Sequence, residues 1–122
     1  MISPEKFALV VDDNPTNRLV ASTLLKKLGW SVCEAASGEA ALALSARQPF
    51  RLVLLDISMP GLSGEETCRQ MRQQPEGSSM FIVAYTAHAF PEEKGKILAA
   101  GFNDILIKPF VRAQLEAIIA QV

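Results

Sequence analysis

Short, unbroken apolar runs alternate with helix-patterned stretches along the whole 122-residue chain, and this constrains the fold more than any other feature. The runs are Lys6–Val11 (KFALVV), Ser31–Ala35, Arg51–Leu55 (RLVLL), Met80–Tyr85 (MFIVAY) and Asp104–Ile107 (DILI), and each reads as a strand. Between the first two, Asn14–Leu28 carries Val20, Ala21, Leu24, Leu25 and Leu28 at helical spacing, and Gly29 stops that helix. Ser37 suits the N-cap of a helix reaching about Ala46, with Ala40, Ala41 and Leu44 on one side. A loop containing Pro60, Gly61 and Gly64 precedes a helix near Glu65–Gln73. Pro91 opens a helix that stops at Gly101, and Val111–Val122 repeats Leu115, Ile118, Ile119 and Val122 on one face.

Five strands alternating with five helices imply an α/β domain, a parallel sheet covered on both faces. The first, third and fourth strands are apolar throughout, as central parallel strands buried on both sides must be. The length fits one domain, residues 1–122, and we find no repeat or linker.

Composition removes several function classes. Twelve basic residues face 13 acidic ones, for a net charge of −1 and a pI near 5.8. That balance argues against direct nucleic-acid binding and polybasic membrane contact. The longest apolar run, Met80–Tyr85, is far shorter than the roughly 20 residues a membrane-spanning helix needs. The N-terminus lacks a signal-peptide pattern. Cys33 and Cys68 form no CxxC pair and read as buried free thiols, which suits a reducing, cytoplasmic setting.

Chemistry gathers where the strands end. Asp12 and Asp13 follow the first strand, Asp56 the third, Thr86 the fourth, and Lys108-Pro109 the fifth. In a doubly wound parallel sheet these ends share one edge, where such folds bind ligands. Crowded carboxylates repel, and a hard divalent cation such as magnesium resolves the repulsion with oxygen ligands. Lys108 adds a positive charge for a phosphoryl oxygen and Thr86 a hydroxyl. Asp56, alone on the middle strand, is placed as the nucleophile of a phosphoryl transfer.

Four motifs in order carry a resemblance: VVDDN (10–14), LLDISMPGLSG (54–64), AYTAHA (84–89) and DILIKPF (104–110). With them the chain resembles a response-regulator receiver domain over essentially its full length. The resemblance implies a (βα)5 flavodoxin-like sheet of order 2-1-3-4-5 in three layers. It implies phosphorylation of Asp56 by a phosphohistidine. Asp12, Asp13, Asp56 and the Ser58 main-chain carbonyl would hold Mg2+, with Mn2+ able to substitute. Thr86, Ala87 and Lys108 would grip the phosphoryl group. The family often has a cis peptide before the proline at Pro109, although an isolated Lys-Pro bond favours trans. The style of VDDNPTNRLVASTLLKKLG and AYTAHAF is similar to receiver modules of hybrid sensor histidine kinases. The expected partners are then a histidine kinase phosphoacceptor domain or a histidine phosphotransfer domain. Asn14, Pro15, Leu19, Pro109 and Phe110 would form their docking surface.

Departures from the pattern matter as well. Ile105 stands where the family usually carries an aromatic switch residue, which puts conventional switching in question. Ser58 and His88, two residues beyond Asp56 and Thr86, would tune the lifetime of the phosphate. The alternative function is a receiver-like interaction domain that regulates a kinase by contact alone. Aspartyl-phosphate hydrolases need an Asp-x-Asp pair, and Ser58 replaces its second member. A flavin site would want hydroxyls and amides where Asp12-Asp13 stand. The lone His88 cannot complete a zinc site with thiols so far apart.

Overall fold

The computed structural model describes residues 6–87 and 91–122. Its elements are β1 (Phe7–Val11), α1 (Pro15–Lys27), β2 (Ser31–Ala35), α2 (Gly38–Arg47), β3 (Leu52–Asp56), α3 (Gly64–Arg72), β4 (Phe81–Thr86), α4 (Pro91–Ala99), β5 (Asp104–Ile107) and α5 (Arg112–Ile119). A short 3₁₀ turn, Gly77–Ser79, lies between α3 and β4. The strands form one parallel sheet of order β2-β1-β3-β4-β5, as the resemblance implied.

Alternation along the strands sorts the core into two layers. Ala8, Val10, Leu52, Leu54, Val83, Tyr85 and Leu106 face Ala21 and Leu25 of α1 and Leu115 and Ile118 of α5. Leu9, Val11, Val53, Leu55, Ile82 and Ala84 face Ala41 of α2, Cys68 and Met71 of α3, and Ile97 of α4. All five residues of β3 are buried, which explains its lack of polar alternation. Burying each such leucine or isoleucine contributes about 2 kcal/mol.

Local chemistry sets the helix ends. The Asn14 side chain caps α1, accepting from the N–H groups of Thr16 at 2.9 Å and Asn17 at 3.1 Å, with Pro15 in the first turn. Gly29 ends α1 at φ +92°, a conformation that strains any residue with a Cβ. Ser37 and Ser63 cap α2 and α3 through their hydroxyls. Gly64 is required by close approach, since a Cβ there would stand 2.6 Å from the Ile57 Cα.

The amino-terminal side of the sheet is fastened by Arg72. Its guanidinium makes five hydrogen bonds, to the carbonyls of Gly77 (2.6 Å), Met80 (2.6 Å) and Gly101 (2.9 and 2.6 Å) and to Asn103 Oδ1 (2.6 Å). The approaches to β4 and β5 are thereby tied to the end of α3.

Some expectations shift. Val20 of the expected α1 stripe is 48% exposed, because the core-facing side of α1 is set by Ala21 and Leu25. Leu24 and Leu28 are only half-buried. The last helix stops at Ile119 instead of continuing to Val122. Cys68 is buried but Cys33 is half-buried, and both are free.

Candidate functional site

The carboxyl ends of the central strands bring the expected residues together. Asp12 follows β1, Asp56 ends β3, and their strands are neighbours. By strand parity Asp12 continues the row of Val10, Asp56 that of Leu54, and Lys108 that of Leu106. All three therefore lean to the α1/α5 side and meet. Lys108 Nζ lies 3.1 Å from Asp12 Oδ2 and 3.3 Å from Asp56 Oδ2. Asp12 is 0% and Asp56 4% exposed, so the charges are held away from bulk water. Asp13 is exposed at the rim.

Main-chain donors fix the two buried carboxylates. The Asn14 N–H donates to Asp12 Oδ1 at 2.9 Å and the Ser58 N–H to Asp56 Oδ1 at 3.0 Å. Arg18 pins the loop from behind, donating to the Asp12 carbonyl at 2.8 Å and pairing with Glu34 at 3.1 Å. Asp12 and Asp13 lie beside Asp56, and the side chain that caps α1 is that of Asn14.

The charges do not balance. Oxygens of Asp12, Asp13 and Asp56 lie within 4.8 Å of one another, against one ammonium. Two negative charges remain, which matches a divalent cation, and an all-oxygen donor set suits a hard one. The Asp56 carboxyl feels the imbalance. Burial, chiefly, raises its pKa above 3.8, the Lys108 charge and the Ser58 N–H oppose the rise, and the Asp12 charge adds to it. The acidic cluster could hold a metal ion.

Thr86 is buried at the end of β4, where its carbonyl accepts from the Lys108 N–H at 2.7 Å. A recess of about 370 Å³, lined in part by Ser58, Thr86, Glu93 and Lys96, opens beside it. Ala87 is exposed, and His88 lies outside the described residues. The Lys108–Pro109 peptide is cis. Ile105 is half-buried and packs against the core layer under α2, α3 and α4.

The expected docking residues gather less tightly. Asn14, Pro15 and Pro109 are exposed, and Leu19 is 62% exposed on α1. Phe110 is half-buried and, with Asn17, Val20 and Pro109, lines a groove of about 410 Å³ that reaches Lys108. Leu19 does not line it. Sequence reasoning missed Arg18 and Tyr85. Arg18 acts on a main-chain carbonyl, and Tyr85 looked like one more apolar residue of a buried strand.

Comparisons with known proteins agree with this geometry. The sequence profile of the response regulator receiver domain matches residues 8–120. The sensor histidine kinase GacS of Pseudomonas protegens is 41% identical over 114 residues, covering 91% of this chain but 12% of that protein. The chain thus spans only about an eighth of that curated relative. A crystal structure of the receiver domain of sensor histidine kinase PA1611 from Pseudomonas aeruginosa, with a magnesium ion coordinated in the active site cleft, superposes with a TM-score of 0.88. It is 37% identical, with 95% of each chain covered. The chemotaxis protein CheY4 of Vibrio cholerae gives a TM-score of 0.90 at 31% identity, covering 95% of this chain and 97% of its own. With the profile spanning nearly the whole sequence and the buried acid–lysine cluster at the carboxyl edge of a 2-1-3-4-5 sheet, the chain belongs to the response regulator receiver domain family.

Proposed function

We propose that this chain is the phosphoacceptor module of a phosphorelay and that Asp56 takes a phosphoryl group from a phosphohistidine. The observation that carries the reading is the buried Asp12–Asp56–Lys108 cluster with its unbalanced negative charge. In the transfer, a carboxylate oxygen of Asp56 forms a bond to phosphorus as the phosphorus–nitrogen bond of the donor breaks. The electron pair returns to the imidazole, which takes a proton from solvent. Such a reaction needs mostly positioning and charge neutralisation.

Each residue has a part. Lys108 and the Thr86 hydroxyl donate to oxygens of the transferred group, and the exposed Ala87, which lines the same groove as Lys108, adds its backbone N–H. Asp12, Asp13, Asp56 and the Ser58 main-chain carbonyl would hold magnesium, or manganese in its place. When bound, the ion supplies positive charge to the phosphoryl oxygens. Ser58, whose N–H already holds Asp56, and His88 set the phosphate's lifetime. Ile105, lacking a ring, leaves the module without an aromatic switch.

Residues 1–122 act as one receiver unit that turns over no metabolite. Among the described residues no helix is long and apolar enough to cross a membrane. We read the module as a cytoplasmic part of a hybrid sensor histidine kinase. Its partner is a histidine kinase phosphoacceptor domain or a histidine phosphotransfer domain, docked over Asn14, Pro15, Leu19, Pro109 and Phe110. An apolar groove opening directly onto Lys108 supports docking on that side.

The test is intact-protein mass after incubation with acetyl phosphate and magnesium, and separately with a phosphorylated histidine phosphotransfer domain. The wild type gains one phosphoryl group and Asp56→Asn gains none, because an amide is no acceptor. Labelling of Asp56→Asn at another residue overturns the assignment. No gain from either donor supports regulation by contact alone.

A further inference from the structure

Lys108 has three close partners, and one of them is not an acid. Besides the two carboxylates, its Nζ stands 4.3 Å from the centroid of the Tyr85 ring. We propose that Tyr85 is a positioning residue for Lys108, its ring face holding the ammonium in place throughout the phosphoryl cycle. The inference rests on the reading of Asp56 as the phosphoacceptor.

Backbone register puts the ring there. Tyr85 pairs with Asp56 across β3 and β4, and with Leu106 across β4 and β5. It therefore stands between the strand that carries the acceptor and the strand that carries the lysine. Parity turns it to the α1/α5 side, the side to which Asp12, Asp56 and Lys108 lean. The ring is 3% exposed and packs edge-on to Phe110, with centroids 5.6 Å apart and planes at 74°. It is immobilised in a region of low dielectric, where a cation over an aromatic face is held more strongly than in water.

The two acidic partners change their charge or their company during the chemistry. Asp12 belongs to the oxygen cluster that could hold a cation. Asp56 commits one oxygen to the acyl-phosphate bond. The ring's negative face is unaltered by either event. A lysine on a flexible four-carbon stem needs such a constant partner, because its preferred position otherwise shifts with each change in the carboxylates. An aliphatic side chain at position 85 would fill the space but offer the ammonium no negative face.

The experiment varies the ring's charge and leaves its shape nearly unchanged. Tyr85→Phe keeps the face, phenylalanine with three ring fluorines at position 85 weakens it, and Tyr85→Leu removes it. Labelling of Asp56 by acetyl phosphate should be about tenfold slower in Tyr85→Leu and slower by several-fold in the fluorinated protein. Tyr85→Phe should restore the rate to within about twofold, since it keeps the π face. In parallel, the Lys108 ε-methylene resonances should lie upfield from ring current in wild type and Tyr85→Phe, and move downfield in Tyr85→Leu. A labelling rate indifferent to fluorination overturns the inference, as do methylene resonances that ignore the loss of the ring. A wild type that takes no label from acetyl phosphate or from a phosphorylated histidine phosphotransfer domain overturns instead the reading of Asp56, and the NMR measurement still reports whether the ring holds the lysine.

Discussion

Two ends of the same sheet each gather polar groups around a cation, with opposite results. At the amino side Arg72 meets neutral partners, and each of its five hydrogen bonds ends on a carbonyl or an amide oxygen. At the carboxyl side Lys108 meets two buried carboxylates with a third close by, and the negative charge is left in excess. The first arrangement is complete without any ligand and serves stability. The second carries an excess of negative charge that a cation could balance, and that excess gives it a capacity for chemistry. A half-buried cation does not by itself mark a functional site; its charge balance does.

Breaking the amino-side cluster should have the largest effect on folding. Arg72→Ala leaves three main-chain carbonyls without their donor and should cost about 3 kcal/mol, lowering Tm by roughly 10 °C. Phosphoryl uptake per folded molecule should stay near that of the wild type. A Tm within about 2 °C of wild type would dissolve the contrast between the two ends.

Completing the carboxyl side should have a smaller effect. Magnesium at ten times its dissociation constant should stabilise the fold by about 1.4 kcal/mol, or some 5 °C. A melting curve unmoved at tens of millimolar magnesium would count against the Asp12–Asp13–Asp56 site.

Removing one negative charge sharpens the comparison most finely. In metal-free protein at neutral pH, Asp56→Asn should raise Tm by a few degrees. The sign follows from the raised Asp56 pKa: the folded state prefers this group protonated, so ionisation destabilises it. Stability that is fully present below the unfolded value of 3.8 is lost as pH rises through the higher folded value. The advantage of the variant should therefore close as pH falls below 3.8. A gap that widens in acid would contradict the charge account.

The two ends also differ in how readable they are. Asp12, Asp56, Thr86 and Lys108 were legible because each terminates an apolar strand, and the parallel architecture sends all such termini to one edge. Arg72 gave no signal, since its partners are main-chain oxygens that every residue possesses. Tyr85 was hidden by its neighbours in MFIVAY, and only strand register places its ring beside Lys108. Val20 misled because an apolar residue at helical spacing looks like core, whereas α1 turns Ala21 and Leu25 to the sheet and leaves Val20 half exposed. It lines the groove at Phe110 instead, a placement that periodicity does not encode.

The ion pair between Asp12 and Lys108 joins residues 96 positions apart in sequence, and this has a consequence during biosynthesis. All three carboxylates leave the ribosome long before the lysine does. A nascent chain that has finished β4 has the acids but not the cation that draws Asp12 and Asp56 together. The edge strand β5 must be made and docked before the acids at this edge meet their lysine, so the site is among the last parts of the domain to be assembled.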